Sequence, residues 1–202
     1  MQKIVNFFFK NPGFFLTFRN KLQNNLISEK NVIKKYIKPN KNLKVLDFGC
    51  GTGDFCSLFN KSQYTGVDVE ERFIKFNKSR FNGYNFIKVE EDKPLPFKDL
   101  YFDKILVFGV LHHINEDNVK KIMMDLSRVL SDSGQVLLYD QLPPKEQKNF
   151  IAKVLAKFDR GEFLRGNSKL KILLKKYFKI KENYMIRSGP YTLCVFILEK
   201  SR

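Results

Sequence analysis

The segment from Val45 to Asp54 constrains the fold of this 202-residue chain more than any other segment. A short apolar run ends in an acid and continues into three glycines at alternate positions, Val-Leu-Asp-Phe-Gly-Cys-Gly-Thr-Gly-Asp. This pattern predicts a buried strand that turns sharply into a helix, with side chains removed where a ligand lies against the backbone. A plain strand-to-helix turn is the alternative that needs no ligand.

The spacing of the glycines restricts the class of ligand. A dinucleotide-binding loop has glycines at its first, third and sixth positions, and here the sixth position is Asp54. The Gly-Lys-Ser/Thr ending of a phosphate-binding P-loop is also missing. Because an acid at the start of a helix repels a pyrophosphate, the loop fits a cationic sulfonium ligand better than a phosphorylated one.

A second acid lies near the end of the next predicted strand. The segment Tyr-Thr-Gly-Val-Asp-Val at residues 64–69 has the apolar character of a buried strand, and Asp68 is near its carboxyl end. A carboxylate in this position can accept hydrogen bonds from both hydroxyls of a ribose. Asp68 can also cap the helix predicted from Glu70 to about Phe81, so both roles stay open.

The rest of the chain alternates between apolar patterns typical of β-strands and patterns typical of α-helices. Strands are predicted near residues 44–48, 63–68, 85–89, 103–108 and 134–140, and helices near 20–38, 53–60, 70–81, 116–131, 145–158 and 167–177. This alternation predicts an α/β fold, with a mostly parallel sheet covered by helices on both faces. Two further runs, 180–186 and 191–198, flank a short Arg-Ser-Gly-Pro turn and predict an antiparallel hairpin.

The order of four motifs resembles the class I S-adenosylmethionine-dependent methyltransferases, and especially their small-molecule branch. The motifs are the glycine loop, Asp68, Leu95-Pro96-Phe97, and the run from Phe102 to Ile114 that contains Leu111-His112-His113. The match covers roughly residues 43–140. It implies one globular, Rossmann-like unit with a seven-stranded, mostly parallel sheet of order 3-2-1-4-5-7-6. Residues 1–42 would form a helical lid or cap, and residues 43–202 the methyltransferase domain.

The resemblance also implies a set of cofactor contacts for S-adenosylmethionine, which leaves as S-adenosylhomocysteine. Asp47 and the backbone of the glycine loop would hold the methionine part, Asp68 the ribose, and Glu91 or Asp92 the adenine amine. Phe108 and Gly109 would lie along the cofactor. The full predicted set is Asp47, Gly49, Cys50, Gly51, Gly53, Asp68, Val69, Glu91, Asp92, Phe108 and Gly109.

Two histidines follow the fourth strand, where an open α/β sheet places its ligands. His112 or His113 can take the proton from a hydroxyl or amine during methyl transfer, because the pKa of histidine lies near working pH. The alternative is that one histidine packs against the cofactor and the other bonds to the backbone. Methyl transfer does not strictly require a base, since alignment alone supplies much of the rate.

Four residues in the last third are predicted to contact the acceptor: Asp140, Arg160, Arg165 and Tyr191. They are similar to residues of a subgroup of small bacterial class I methyltransferases. By that resemblance the two arginines would clamp an anionic acceptor with their guanidinium forks. The alternative is that these arginines tie a helix end to its neighbour.

The net charge of +16 is concentrated on the two flanks of the chain. Residues 1–45 carry ten basic and one acidic side chain, residues 46–140 carry twelve and fifteen, and residues 141–202 carry fifteen and five. The basic flanks indicate either an acidic partner or simply solvated helix faces. The aromatic residues of the first 19 indicate either a lid over the cofactor or a peripheral membrane contact.

The three cysteines have no metal-like spacing, so we predict no metal site and buried free thiols in a reducing compartment. No secretory signal is evident, which favours a cytoplasmic location. Together the motifs predict methyl transfer to an O or N of a small acceptor, with an anionic acceptor as one option. The alternatives are an RNA or membrane-surface acceptor, although motifs typical of nucleic-acid enzymes are missing after the fourth strand, and a silent cofactor-binding protein.

Overall fold

The computed structural model describes residues 11–38, 42–153 and 163–201 as one seven-stranded sheet with flanking helices. The strands are β1 (Val45–Phe48), β2 (Tyr64–Asp68), β3 (Asn85–Lys88), β4 (Phe102–Phe108), β5 (Leu130–Gln141), β6 (Phe178–Ser188) and β7 (Tyr191–Lys200). The helices are α1 (Pro12–Leu22), α2 (Ile27–Tyr36), α3 (Glu71–Arg80), α4 (Glu116–Val129) and α5 (Asn167–Leu174). Residues 150–153 are also helical.

The strand order is β3-β2-β1-β4-β5-β7-β6, which confirms the predicted sheet. Strands β1 to β5 pair in parallel, and β7 runs antiparallel to both β5 and β6. Because β1 lies at the centre, between β2 and β4, the carboxyl ends of these three strands meet beside the glycine loop.

Two apolar clusters cover the two faces of the sheet. On one face, α4 and α5 pack on alternate residues of β1, β4, β5 and β7, and Met123, Leu126 and Leu170 are fully buried there. On the other face, α2 buries Val32 and Ile33 against the intervening residues of the same strands, such as Leu137 and Val195. This burial on both faces explains why the central strands read as continuous apolar runs.

Several predicted helices have different limits in the structure. The predicted helix at 20–38 is interrupted, because Asn24, Asn25 and Leu26 adopt φ angles of +49°, +54° and +57° between α1 and α2. The predicted helix at 53–60 is a single 3-10 turn at Cys56–Leu58, because left-handed Gly53 prevents a helix from starting there. The segment after β5 contains a 3-10 turn at Pro144–Glu146 before residues 150–153, and the rest of the helix predicted at 145–158 lies outside the described residues.

The end of α1 packs tightly on the turn between β6 and β7. Gly189 has a φ of +55°, and a Cβ atom there would lie 2.0 Å from the carbonyl oxygen of Leu22. The Ser28 hydroxyl donates a 2.6 Å hydrogen bond to the carbonyl of Arg187. Residues 22–28 are therefore held on the hairpin turn. Within the described residues, no helix is long and apolar enough to cross a bilayer.

We expect Gly189→Ala to lower the free energy of unfolding by about 2–4 kcal/mol, since it adds left-handed strain and overpacks the Leu22 backbone. Gly51→Ala is the matched control, because Gly51 has a similar φ of +49° but nothing lies within 4 Å of its Cβ position. The control should cost about 1–2 kcal/mol. Urea unfolding measures both, and equal losses would contradict the close packing of α1 on the hairpin.

Candidate active site

The loop after β1 is shaped by its glycines. Gly49, Gly51 and Gly53 all have positive φ angles, of +72°, +49° and +73°. A Cβ atom on Gly49 would lie 2.5 Å from a methyl carbon of Val110, so the loop packs directly against the segment that follows β4. Only glycine fits this path, which leaves the loop backbone accessible to a ligand.

Asp68, at the end of β2, holds the loop from one side. One carboxylate oxygen accepts a 2.9 Å hydrogen bond from the backbone N–H of Gly51, and the other accepts a 2.9 Å bond from that of Glu70. The Asp68 side chain thus supports the loop, a role that was not predicted, and braces the residue before α3, while its contact with a ribose stays a prediction. Each oxygen keeps a second lone pair for a ribose hydroxyl. The neighbouring Val69 is 40% exposed.

Asn77 holds the loop from the other side and was not predicted. Its amide donates a 2.7 Å hydrogen bond to the carbonyl of Gly51 and contacts the sulfur of Cys50 at 3.8 Å. Asn77 is fully buried on the inner face of α3, one turn beyond Ile74. A polar residue at an apolar position of the helix pattern was the signal that could have identified it.

Asp47 is buried at the base of the loop and accepts a 2.6 Å hydrogen bond from the hydroxyl of Tyr64. Burial raises the pKa of Asp47 to about 7, and the nearby charges of Asp54 and Asp68 add to the shift. The Tyr64 hydroxyl and Arg19 oppose it. A carboxyl poised in this way gains its charge most readily when a cationic group, such as an ammonium, approaches.

Arg19 of α1 contacts the loop and was also missed from the sequence. Its guanidinium donates a 2.8 Å hydrogen bond to the hydroxyl of Thr52 and forms an ion pair with Asp54. Asp54, expected at the start of a helix, pairs instead with α1. The ion pair fastens α1 to the glycine loop.

The carboxyl end of β4 carries the residues predicted to lie along the cofactor. The ring of Phe108 stacks on Tyr139 of β5, with 4.3 Å between centroids, and meets the edge of Phe55. Gly109 has a φ of +67°, and a Cβ atom there would lie 3.8 Å from a ring carbon of both His112 and Tyr139. Gly109 therefore lies between these two rings.

His112 and Asp140 form a buried pair. Nδ1 of His112 is hydrogen-bonded to the Asp140 carboxylate, which also accepts a 2.8 Å bond from the backbone N–H of Gln141. The structure brings together two residues that the sequence placed after different strands. His113 is exposed, with its ring centroid 3.9 Å from that of His112.

Arg165 is buried and holds the turn that carries His112. Its guanidinium donates hydrogen bonds to the carbonyls of Leu111 at 2.7 Å, Ile114 at 2.8 Å and Phe163 at 3.1 Å. The backbone N–H of Phe163 also donates to the carbonyl of His112 at 3.0 Å. This geometry favours the structural alternative for Arg165 over an anion clamp.

The other predicted residues are more dispersed. Tyr191 is buried in the apolar cluster under α2, beside Tyr139 and Leu193. Glu91 and Asp92 are exposed in the turn after β3, where their contact with adenine stays a prediction. Arg160 lies outside the described residues.

The three cysteines are buried free thiols. Burial raises the pKa of Cys56 and of Cys194 to about 12 and raises that of Cys50 as well. Within residues 11–38, 42–153 and 163–201, no group of three or more His, Cys, Asp or Glu residues is arranged to hold a metal ion.

Comparisons with known proteins agree with this fold. Residues 46–138 match the methyltransferase domain family. A ubiquinone/menaquinone biosynthesis C-methyltransferase of Desulfotalea psychrophila is 34% identical over 54% of this chain and 44% of its own length. A probable tRNA methyltransferase 9B of Mus musculus is 31% identical over 52% of this chain and 23% of its own length. The chain spans less than half the length of either relative.

A solved structure reproduces the whole fold. The magnesium protoporphyrin IX methyltransferase of Synechocystis PCC 6803, with bound S-adenosylhomocysteine, aligns over 100% of both chains with a TM-score of 0.71 and 16% identity. Residues 46–138, just under half of the chain, match a methyltransferase domain family, and the sheet order is the one predicted for a class I S-adenosylmethionine-dependent methyltransferase fold. The predicted family, fold class and cofactor class are confirmed.

We expect Arg165→Ala to lower the free energy of unfolding by about 2–4 kcal/mol, since it leaves buried carbonyls without donors. Lys169→Ala, which removes an exposed cation, is the control and should change it by no more than about 0.5 kcal/mol. Chemical denaturation measures both. Full stability of Arg165→Ala combined with lost turnover would instead restore the acceptor-clamp interpretation.

We expect Asp47 to make stability fall as the pH rises from about 4 to about 7. The folded-state pKa lies above the unfolded value, so the native state holds the extra proton in this window and loses that advantage above it. The free energy of unfolding of Asp47→Asn should therefore rise relative to that of the wild type by roughly 3–4 kcal/mol between about pH 4 and pH 7. Above about pH 8 the difference between the two proteins should stay constant. A difference that does not vary with pH, measured by urea unfolding, would contradict the raised pKa.

Proposed function

We propose that the protein transfers a methyl group from S-adenosylmethionine to an O or N atom of a small-molecule acceptor. The observation that carries this proposal is the His112–Asp140 pair, which lies beside Gly109 and next to the glycine loop. An acid–base pair at this edge of the sheet is placed where an acceptor would meet the cofactor.

The residues present suit the cofactor. Asp47 can take the ammonium group of its methionine part, Asp68 a ribose hydroxyl, and the backbone of Gly49–Gly53 can lie against it. Glu91 or Asp92 would meet the adenine amine. When bound, S-adenosylmethionine supplies a methyl group activated by a cationic sulfur.

His112 would act as the base. Its Nε2 atom takes the proton from the acceptor while the acceptor atom bonds to the methyl carbon and the electron pair of the C–S bond stays on sulfur. Asp140 fixes the Nδ1–H tautomer and stabilises the imidazolium that results. His113, which is exposed, is the second candidate for the same role.

The first 42 residues would serve as a lid. The ion pair between Arg19 and Asp54 fastens α1 directly to the glycine loop, and this contact supports a lid more than a membrane anchor. The lid would exclude water and align the acceptor with the methyl group.

A small acceptor is supported by the segment after β4. Base-amine methyltransferases commonly carry an acid or Asn followed by Pro-Pro here, whereas this chain has Phe108-Gly109-Val110-Leu111. The tRNA methyltransferase among the relatives makes RNA the acceptor to test against. We also propose a cytoplasmic location, because free thiols such as those of the three cysteines are typical of a reducing compartment.

We expect His112→Ala to reduce methyl transfer by about 10²–10⁴-fold, because the acceptor loses its base. Transfer is followed with labelled S-adenosylmethionine in a cell extract, separated into small-molecule, lipid and RNA fractions. Cofactor affinity, measured by calorimetry with S-adenosylhomocysteine, should change little. Asp140→Asn should show a similar loss, and His113→Ala is the control that keeps most activity.

The outcomes separate the alternatives. Binding of S-adenosylhomocysteine without any transfer would identify a silent cofactor-binding protein. Label in the RNA or lipid fraction would contradict the small-molecule acceptor and identify RNA or lipid as the acceptor. A loss in His113→Ala with full activity in His112→Ala would move the base to His113.

A further inference from the structure

Besides Arg19 Nε and Asn77 Oδ1 at the glycine loop, three side chains at one end of the sheet have buried polar atoms without hydrogen-bond partners among the described residues. They are Glu29 of α2, whose two carboxyl oxygens are both unpartnered, the amide nitrogen of Gln141 at the end of β5, and the hydroxyl of Ser188 at the end of β6. Their exposed fractions are 0%, 7% and 1%. Buried polar groups are nearly always paired in native proteins, so each of these requires an explanation.

The three side chains share one face and one end of the sheet. Gln141 lies on the same face as Tyr139, since alternate residues of a strand point the same way. Gln141 pairs with Leu193 and Ser188 with Tyr191, and both partners belong to the cluster that α2 covers. Glu29 precedes Val32 and Ile33 by about one turn, which places it on the sheet-facing side of α2.

Tyr139 connects this group to the active site. Its ring contacts Phe108 and flanks Gly109, opposite His112. Burial raises the pKa of Tyr139, and the charge of Glu29 contributes next, so the two side chains lie within electrostatic range of each other. Glu29, Gln141 and Ser188 therefore lie on the side of Tyr139 away from the histidine.

Packing alone does not explain Glu29. Burial raises its pKa, and a hydrogen-bonding interaction with the nearby Ser188 hydroxyl opposes the shift, although neither carboxyl oxygen has a donor in full hydrogen-bond geometry. An unpaired buried carboxyl disfavours folding, and a chain retains such a group where a ligand supplies the missing donors.

The unpartnered atoms define what that ligand offers. Glu29 requires a donor, Gln141 requires an acceptor, and Ser188 takes either. Arg19 lies within electrostatic range of Glu29. Glu29 would repel an anionic ligand, and Arg19 would repel a cationic one. An uncharged hydroxyl can donate and accept hydrogen bonds without repulsion from either side chain.

We propose that Glu29, Gln141 and Ser188 bind the methyl acceptor and that this acceptor is an uncharged small molecule bearing hydroxyl groups. This inference rests on the proposed function, because it names the substrate class of the same site. It makes the reaction an O-methylation in which His112 receives the proton of the reacting hydroxyl, while the three side chains hold other hydroxyls. An uncharged acceptor takes the place of the anionic acceptor that the two arginines suggested from the sequence alone.

The acceptor can reach these residues only if α1 moves. The carbonyl of Leu22 covers the turn beside Ser188, and Glu29 is inaccessible. The left-handed turn Asn24–Leu26, directly between α1 and α2, is the point about which α1 would swing. Leu26 is neither Gly nor Asn, so its backbone there is strained.

The first test needs no acceptor. We expect Glu29→Met in the full chain to raise the Tm by about 2–4 °C, because it removes an unpaired carboxyl at similar volume. Glu182→Met is the matched control: Glu182 also contacts α2 but accepts a 2.5 Å bond from the Tyr36 hydroxyl, and its replacement should give no rise. Ser188→Ala should leave the Tm unchanged or higher. A fall in Tm for both Glu29→Met and Ser188→Ala would overturn the proposal, since it would show structural roles.

The second test identifies the acceptor class. Labelled S-adenosylmethionine and the protein are added to a small-molecule extract, and products are separated by ion exchange into neutral, anionic and cationic fractions. We expect label in the neutral fraction, reduced at least tenfold by Glu29→Met, with S-adenosylhomocysteine affinity unchanged within twofold. Label in a charged fraction, no labelled neutral product, or undiminished transfer by Glu29→Met would overturn it. Failure of the wild type to bind S-adenosylhomocysteine would instead contradict the proposed function. The Tm comparison would still show whether Glu29 and Ser188 have structural roles.

Discussion

The active site depends on how the backbone of Gly51 is held. Its N–H donates to Asp68 of β2 and its carbonyl accepts from Asn77 of α3, so two neighbouring elements hold the two peptide groups that flank one residue. The loop needs this support because three left-handed glycines in five residues have little conformational preference of their own. The central position of β1 brings β2 close enough to provide it. The cofactor site is thus a consequence of strand order.

Local charge at the site is opposite to the charge of the whole chain. The net charge is +16, yet Asp47, Asp54 and Asp68 surround the glycine loop and Arg19 is the cation that contacts it. Burial raises the pKa of both Asp47 and Asp68; the charges of Asp54 and Asp68 add to the shift at Asp47, and that of Glu70 adds to it at Asp68. The site is therefore ready to favour a cationic ligand. The net charge of the flanks therefore does not describe the local charge around the loop.

The parts of the fold that depend on short-range pattern could be predicted, and the parts that depend on tertiary contact could not. Apolar runs and their alternation identified the strands and the mostly parallel sheet, while the resemblance carried by the glycine loop, Asp68 and the segment after β4 implied the strand order and the cofactor class. Arg19 was missed because it contacts Asp54 across 35 residues, and nothing in its own neighbourhood indicates that contact. The break between α1 and α2 was missed because Asn24, Asn25 and Leu26 fit the apolar spacing of a continuous helix, while packing on the hairpin imposes a left-handed turn. Arg165 was assigned to the acceptor because an arginine near a site reads as an anion clamp, whereas its donors serve the carbonyls of the His112 turn.

The two sides of the site are built from different parts of the chain, and this division explains why the acceptor is hard to infer from the family. The cofactor side comes from β1, β2 and β4, which lie within the region shared with the methyltransferase domain family. The unpartnered groups are Glu29 of α2, Gln141 at the end of β5 and Ser188 at the end of β6, and all three lie outside residues 46–138. The matches to the curated relatives cover only about half of this chain, so they carry little information on these flanking groups. At the proposed acceptor site, recognition of the acceptor depends on Glu29, Gln141 and Ser188 more than on the glycine loop, since these residues lie outside the matched region.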